Sequence, residues 1–223
     1  PTHPGRHPLP PPDVFVAFLA RIGVGPDDVV VAYDDTGGST AARLWWLLKY
    51  FGHDGGRVLD GGLPAWTGAG HPLDTADSAR KAASKMNLVP RRAMVVDKEF
   101  VREFASRSNA VLLDARASER FEGAVESVDA RPGHIPGAKS APFVGNLQAP
   151  GGRFLSSDEL AERYAALGIT DETPVVAYCG SGVTACHDLL ALTLAGQNNA
   201  LLYEGSWSEW ARDDSLPAGL GKG

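Results

Sequence analysis

Apolar residues recur along the chain in blocks that predict a helix followed by a short strand. The first block spans residues 13–34, and its helical face consists of five apolar residues: Val14, Phe15, Phe18, Leu19 and Ile22. Gly23 ends this pattern, as glycine commonly does after the last turn of a helix. The next apolar run, 29–32, is nearly continuous, so we expect a strand that is buried on both faces.

The same order of elements returns 145 positions later, in residues 158–179. Its helical face is formed by Leu160, Tyr164 and Leu167, ahead of a second glycine stop, Gly168. Ser156 and Glu159 have the spacing of a capping box, which predicts where this helix begins. The run 175–177 predicts a second strand buried on both faces.

Strands that alternate with helices in two copies predict an α/β protein. We expect two domains of one type, each with a mostly parallel sheet flanked by helices. Residues 1–75 form the first copy and residues 93–223 the second. The polar stretch 76–92 between them has the composition of a linker.

The second copy carries two segments, 111–116 and 133–138, that have no partner in the first. Their partners would lie before residue 1. We therefore expect the first domain to be truncated at its N-terminus, and the chain to be a fragment of a longer protein.

The most informative segment is the turn after the second buried strand, which reads Cys179-Gly180-Ser181-Gly182-Val183-Thr184. A turn between a strand and a helix N-terminus points backbone N–H groups at one spot and favours an anion there. The glycines let the main chain curl around the sulfur and leave room for a substrate. We therefore expect Cys179 to be a thiolate nucleophile.

The equivalent position in the first copy is Asp34, followed by Asp35-Thr36-Gly37-Gly38. A carboxylate cannot act as a sulfur nucleophile. The first domain should thus be catalytically inactive and should form one wall of the cleft at the domain interface.

Composition excludes several classes of protein. The formal net charge is −6 and basic residues form no cluster, which argues against nucleic-acid binding. No apolar stretch approaches the roughly 20 residues of a membrane span. Two cysteines in 223 residues indicate a reducing compartment, so we expect a cytoplasmic protein.

The second cysteine, Cys186, is either a buried helix residue or a resolving thiol. We expect neither a metal nor a cofactor, since no Cys-x-x-Cys motif occurs.

Three motifs together resemble the tandem-domain rhodanese family: Gly133-His134-Ile135-Pro136-Gly137-Ala138, the Cys179 loop, and Gly205-Ser206-Trp207-Ser208-Glu209-Trp210. The resemblance covers nearly the whole chain. It implies an inactive first domain and an active second one. It also implies a cysteine that accepts sulfur as a persulfide and passes it to a thiol or to cyanide.

The loop itself resembles that of the 3-mercaptopyruvate sulfurtransferases in this family. Relatives specific for thiosulfate, a dianion, carry basic side chains inside the loop, and Gly180-Ser181-Gly182 supplies none. A singly charged α-keto acid is therefore the favoured donor, with thiosulfate as the alternative.

The resemblance also implies roles for individual residues. Arg120 matches the arginine that binds the donor's carboxylate, for which a guanidinium is well shaped. A second arginine of the family corresponds here to Asp129, and we expect Arg131 to replace it. A surface arginine paired with a nearby glutamate is the other interpretation of Arg120.

Within the loop, Ser181 matches a serine that activates the donor together with an Asp and a His of the first domain. We expect those two partners to precede residue 1. Thr184 offers its hydroxyl to the sulfur or caps the following helix. Gly180, Gly182 and Val183 complete the substrate-binding loop through their backbone.

Two other classes of function compete with sulfur transfer. A cysteine phosphatase has a similar loop but needs an arginine where this chain has Ala185. A non-catalytic interaction module is the other alternative. As acceptors, the resemblance implies a thioredoxin-like protein, a small thiol or cyanide.

Overall fold

The computed structural model describes residues 5–76, 82, 86–149 and 152–222. Its first half contains helix α1 (Pro12–Arg21), strand β1 (Val30–Ala32), α2 (Ala41–Tyr50), β2 (Gly56–Val58) and α3 (Gly62–Gly68). The second half begins with a 3-10 turn at Arg92–Met94, then β3 (Val95–Val96), α4 (Lys98–Phe104), β4 (Val111–Asp114), α5 (Ser118–Phe121) and β5 (Ala138–Ser140). A second 3-10 turn, Phe143–Asn146, leads to α6 (Ser157–Ala166), β6 (Val175–Tyr178), α7 (Ala185–Leu194), β7 (Leu201–Tyr203) and α8 (Ser206–Trp210).

The second half is built on a five-stranded sheet with strand order β3-β7-β6-β4-β5. Every neighbouring pair in it is parallel. All four residues of β4 and of β6 are buried. The predicted α/β class, the parallel sheet and the doubly buried strand at 175–177 are confirmed.

The first half contributes a two-stranded parallel sheet, β1-β2. The prediction that the strand at 29–32 is buried on both faces was wrong. Val31 is 52% exposed and Val29 is 67% exposed, whereas Ala32 is buried. Among the described residues only one face of this sheet is covered, so a continuous apolar run does not imply two covered faces here.

Helix α1 also buries a narrower face than its apolar spacing predicts. Phe15 and Leu19 are buried and pack in one cluster with Leu48 and Phe51. Val14 and Phe18, which we assigned to the same face, are exposed. The predicted helix ends are confirmed: the glycines after α1 and α6 have φ of 80° and 79°, and the capping box of α6 is formed.

The two halves share one core. Ala42 and Trp46 of α2 belong to the same buried cluster as Leu189 and Leu190 of α7, and α2 packs on α7. The end of the predicted linker packs on the first half, where Met86 is buried in the cluster that contains Phe15 and Leu19. Residues 77–81 and 83–85 of the linker lie outside the described residues, and the domain boundaries stay a prediction.

Candidate active site

Cys179 lies immediately after β6, at the carboxyl edge of the central sheet. Its sulfur accepts hydrogen bonds from the backbone N–H groups of Ser181, at 3.4 Å, and Gly182, at 3.1 Å. The residue is only 2% exposed and forms no disulfide. Two main-chain donors aimed at one sulfur atom stabilise negative charge on that atom.

The loop has little freedom to leave this conformation. Gly182 has φ of 79°, and a Cβ there would lie 2.7 Å from the carbonyl oxygen of Glu204. The start of α8 braces the other side, because the backbone N–H groups of Trp207 and Ser208 donate to the carbonyls of Cys179 and Gly180. The third family motif, 205–210, therefore acts here as a support for the cysteine loop.

Ser181 has a partner that the sequence analysis missed. His7 Nδ1 lies 2.8 Å from Ser181 Oγ. We expected the histidine that assists Ser181 to precede residue 1, and this was wrong, because His7 lies in the segment leading into α1. The available signal was a histidine in a rigid Pro-rich stretch, His7-Pro8-Leu9-Pro10, just before a helix start. The pattern alone does not say which distant loop that stretch contacts.

Arg43 of α2 holds the histidine segment and the cysteine loop together. Its Nη2 donates to the carbonyl oxygen of His7 at 3.1 Å, and its Nη1 donates to the carbonyl oxygen of Gly182 at 3.0 Å. The side chain is buried between the two halves. The first half thus does more than wall the cleft, since it supplies a histidine and the residue that positions it.

Arg6, Arg120 and Asp129 lie over the loop at Gly180, and a fourth charged side chain, Glu126, pairs with Arg120. Arg120 Nη2 binds Glu126 Oε1 at 2.9 Å and Asp129 Oδ2 at 2.8 Å, and Asp129 also pairs with Arg6. A Cβ on Gly180 would lie 3.0 Å from Arg6 Nη2 and 3.5 Å from Arg120 Nη1. Burial and the charge of Arg120 lower the pKa of Arg6, while Cys179 and Glu126 act in the opposite direction. The structure therefore places Arg120 beside the loop, as predicted, but with Arg6 and not Arg131 next to it.

Arg131 serves a different purpose from the predicted one. Its Nη2 donates to three backbone carbonyl oxygens, those of Trp210, Asp213 and Leu216. Its guanidinium also lies over the ring of Trp207. These contacts hold α8 and the turn after it, which favours a structural role for Arg131 over the predicted binding of the substrate.

The remaining loop residues are placed as follows. Val183 and Thr184 are half-buried, and Thr184 occupies the N-cap of α7 without a side-chain cap hydrogen bond. Cys186 is fully buried and its Sγ lies 3.3 Å from the carbonyl oxygen of Gly182. Burial raises the pKa of Cys186 to about 12, which favours a structural thiol over a resolving one.

The turn of the first copy is filled by its own side chain. The carboxylate of Asp34 accepts backbone N–H groups from Thr36, Gly38, Thr40 and Ala41 at 2.8 to 3.0 Å. Burial would raise the pKa of Asp34, but these N–H groups hold it well below its usual range. The carboxylate fixes the turn and leaves no nucleophile there.

A buried polar network joins the two turns. His187 of α7 has its Nε2 3.0 Å from the carbonyl oxygen of Gly37, in the first turn. Its neighbour Asp188 accepts from Asn146 Nδ2 at 2.7 Å through one oxygen, and its other oxygen has no partner among the described residues. Burial lowers the pKa of His187 to about 4 and raises the pKa of Asp188 to about 8.

Across the described ranges, no three His, Cys, Asp or Glu side chains cluster in a way that could hold a metal ion. In the same ranges no helix is both long and apolar enough to cross a membrane.

Comparison with known proteins assigns the sequence to one group. A family model described as "Rhodanese-like domain" matches residues 1–69 and 97–213, that is, both copies. A Pseudomonas aeruginosa protein named "Probable 3-mercaptopyruvate sulfurtransferase" is 45% identical over 97% of this chain and 76% of its own length. Human 3-mercaptopyruvate sulfurtransferase is 37% identical over 99% of this chain and 76% of its own. Rat thiosulfate sulfurtransferase is 34% identical over 95% of this chain and 72% of its own.

Solved structures share the same fold. An anaerobic ergothioneine biosynthesis enzyme from Chlorobium limicola, solved with trimethyl histidine, superposes with a TM-score of 0.85 at 24% identity. The match covers 95% of this chain and 56% of that one. At this identity the likeness concerns the fold alone.

Proposed function

This chain belongs to the rhodanese-like domain family and is a sulfurtransferase, and we propose that it transfers the sulfur of 3-mercaptopyruvate through a persulfide on Cys179. The observation that carries the proposal is the position of the Cys179 sulfur, which lies at the end of β6 and accepts two backbone N–H groups. That environment suits the Cys179 thiolate before the reaction and lies next to the anionic outer sulfur of the persulfide that we propose after it.

In the first step, the Cys179 thiolate attacks the sulfur of the donor. A sulfur–sulfur bond forms and the carbon–sulfur bond breaks, so its electron pair passes to carbon as the enolate of pyruvate. Protonation of that carbon gives pyruvate. The backbone N–H groups of Ser181 and Gly182 stabilise the persulfide that remains.

Ser181 and His7 act together in this step. The 2.8 Å contact between His7 Nδ1 and Ser181 Oγ lets the ring exchange a proton with the hydroxyl. We propose that this hydroxyl donates to the donor's carbonyl oxygen as negative charge develops on that oxygen. Arg43 holds His7 in place through the carbonyl of that residue.

The donor's carboxylate binds at the charged cluster above Gly180. Arg120 supplies a guanidinium there, beside Gly180, and we propose that the backbone of Gly182, Val183 and Thr184 completes the binding loop. Arg6 and Arg120 are already paired with Glu126 and Asp129, so the cluster has little spare positive charge. A monoanion is therefore the better fit than the thiosulfate dianion.

In the second step, an acceptor attacks the outer sulfur, the sulfur–sulfur bond breaks and Cys179 leaves as a thiolate. We propose a thioredoxin-like dithiol, a small thiol or cyanide as the acceptor. Two buried cysteines without a disulfide suit a reducing compartment, and we propose the cytoplasm.

Initial rates with the two donors test the choice of substrate. Pyruvate release from 3-mercaptopyruvate and thiocyanate formation from thiosulfate and cyanide are measured on the same preparation. We expect kcat/KM for 3-mercaptopyruvate to exceed that for thiosulfate by at least about tenfold, from the extra charge that must be accommodated. A higher kcat/KM for thiosulfate would contradict the proposed donor.

A further inference from the structure

Arg6 has the position of a substrate-binding residue, although it lies far from the loop in sequence. The segment that brings His7 to Ser181 also brings Arg6 to the charged cluster. The backbone N–H of Arg6 donates to Ser208 Oγ at 3.0 Å, and Leu9 N–H donates to Glu204 at 2.9 Å. Both ends of the segment are thus fixed on the second half.

Several N–H groups of the two arginines in the cluster have no hydrogen-bond partner among the described residues. Arg120 uses Nη2 for Glu126 and Asp129, whereas its Nε is buried and has no partner among the described residues. Arg6 uses Nη1 for Asp129. The nitrogens that converge over Gly180 are Arg6 Nη2 and Arg120 Nη1, and neither has a hydrogen-bond partner in the described part of the chain.

We propose that Arg6 and Arg120 share the carboxylate of the sulfur donor, and that Asp129 holds the two guanidinium groups in register for it. This inference rests on the proposed function and adds a second specificity residue to it. Asp129 is almost completely buried between the two arginines, and a buried carboxylate with this pairing fixes their spacing. Two convergent guanidinium groups bind a planar carboxylate more tightly than one does.

The first test replaces Arg6 by alanine and measures KM and kcat separately. For 3-mercaptopyruvate we expect KM to rise roughly 10- to 100-fold, the loss of one charged hydrogen bond, with a much smaller change in kcat. The methyl ester of mercaptopyruvate, which has no carboxylate charge, should react at the same rate in wild type and R6A. R91A is the matched control, because Arg91 forms an exposed ion pair with Asp54, and its KM should not change.

The second test exchanges the two charges. R6D places a third carboxylate beside Arg120, in addition to Glu126 and Asp129, and should raise KM at least as much as R6A does. The double variant R6D/D129R restores the ion pair with its charges reversed and presents a guanidinium again, so KM should return to within a few-fold of wild type.

Three outcomes would overturn the inference: an unchanged KM in R6A, an equal loss for the acid and its ester, or no recovery in R6D/D129R. The first would show that Arg120 alone binds the donor, and the second would show that Arg6 only supports the fold. Wild-type protein that uses neither 3-mercaptopyruvate nor thiosulfate would instead contradict the proposed function itself.

Discussion

The two strand-to-helix turns of this molecule, at Asp34 and at Cys179, have the same backbone construction but differ in the side chain that accepts their N–H groups. Each follows a parallel strand, each contains a glycine in the left-handed region, Gly37 or Gly182, and each directs backbone N–H groups at the side chain that begins it. In the first turn a carboxylate takes four of these N–H groups with its own oxygens. In the second, a single sulfur atom takes two.

The difference shows what makes such a turn reactive. The anion-stabilising backbone is present in both turns, so in our proposal it does not by itself confer activity. In the first turn the carboxylate of Asp34 binds these N–H groups, which favours a structural role for that turn. The second holds Cys179, which we propose as the nucleophile, and receives Arg6 and His7 from the other half of the chain. In the proposed mechanism, reactivity thus depends on the side chain at one position and on the segment that packs against the turn.

The largest effect on kcat in this series should come from removing Ser181 of the second turn or His7, the histidine that reaches it from the other half. We expect S181A and H7A each to lower kcat roughly 100-fold, the usual loss when a general acid–base group is removed. The double variant should be no slower than either single variant, because the two groups act as one unit. Steady-state kinetics with 3-mercaptopyruvate measures all three.

His71 provides the control for this series. It is exposed in the first half and contacts Trp66, so H71A should keep the wild-type rate. Additive losses in the double variant would mean that Ser181 and His7 act independently, and an unchanged rate in H7A would remove His7 from the mechanism.

A smaller effect concerns the network that joins the two turns through His187 and Asp188. The pKa of Asp188 is raised from 3.8 to about 8, so its stabilising effect is complete below pH 4 and is lost as the pH rises towards 8. The pKa of His187 is lowered from 6.5 to about 4, so its contribution is complete above pH 6.5 and is lost as the pH falls towards 4. Between pH 4 and 6.5 the two groups change the unfolding free energy in opposite directions as the pH rises. Above pH 6.5 only Asp188 changes it.

The variant D188N removes this dependence while keeping the shape of the side chain. Between pH 6.5 and 8 we expect wild type to lose about 2 kcal/mol of unfolding free energy relative to D188N, from one proton over that interval. Urea denaturation at several pH values measures the difference. Parallel stability curves for the two proteins would show that Asp188 is ionised in the folded state at neutral pH.

The smallest effect should come from the first turn. D34N keeps the side-chain shape but loses the negative charge and replaces one of the two accepting oxygens by an NH2 group. We expect a loss of about 1 kcal/mol of unfolding free energy at pH 7. Because the folded pKa of Asp34 is depressed, the advantage of wild type should disappear as the pH falls below 3.8. Thermal or urea denaturation of both proteins tests this, and a loss of sulfur transfer without a loss of stability would contradict a purely structural role.

Local pattern predicted the second half well. The strand at 175–177 lies in the middle of its sheet, so a continuous apolar run and two covered faces coincide there. The capping box depends only on Ser156 and Glu159, which are three positions apart, and it is formed as predicted. The cysteine turn is equally local, because strand, glycines and helix start are consecutive in sequence.

Long-range placement could not be predicted in the same way. Burial of the strand at 29–32 depends on what covers its sheet, and not on the run itself. The positions of Arg6 and His7 depend on contacts across about 170 to 200 residues, with Ser181 and Ser208. Arg131 was assigned from its nearness in sequence to Asp129, yet its guanidinium binds the carbonyls after α8.

The most direct test of the account is the mass of the protein after it has reacted with 3-mercaptopyruvate in the absence of an acceptor. We predict that wild type gains one sulfur atom, that C186S also gains it because Cys186 is buried and inert, and that C179S gains none. Addition of a thiol should then remove the sulfur. An added sulfur on C179S, or an unmodified wild type that still releases pyruvate, would contradict a persulfide on Cys179.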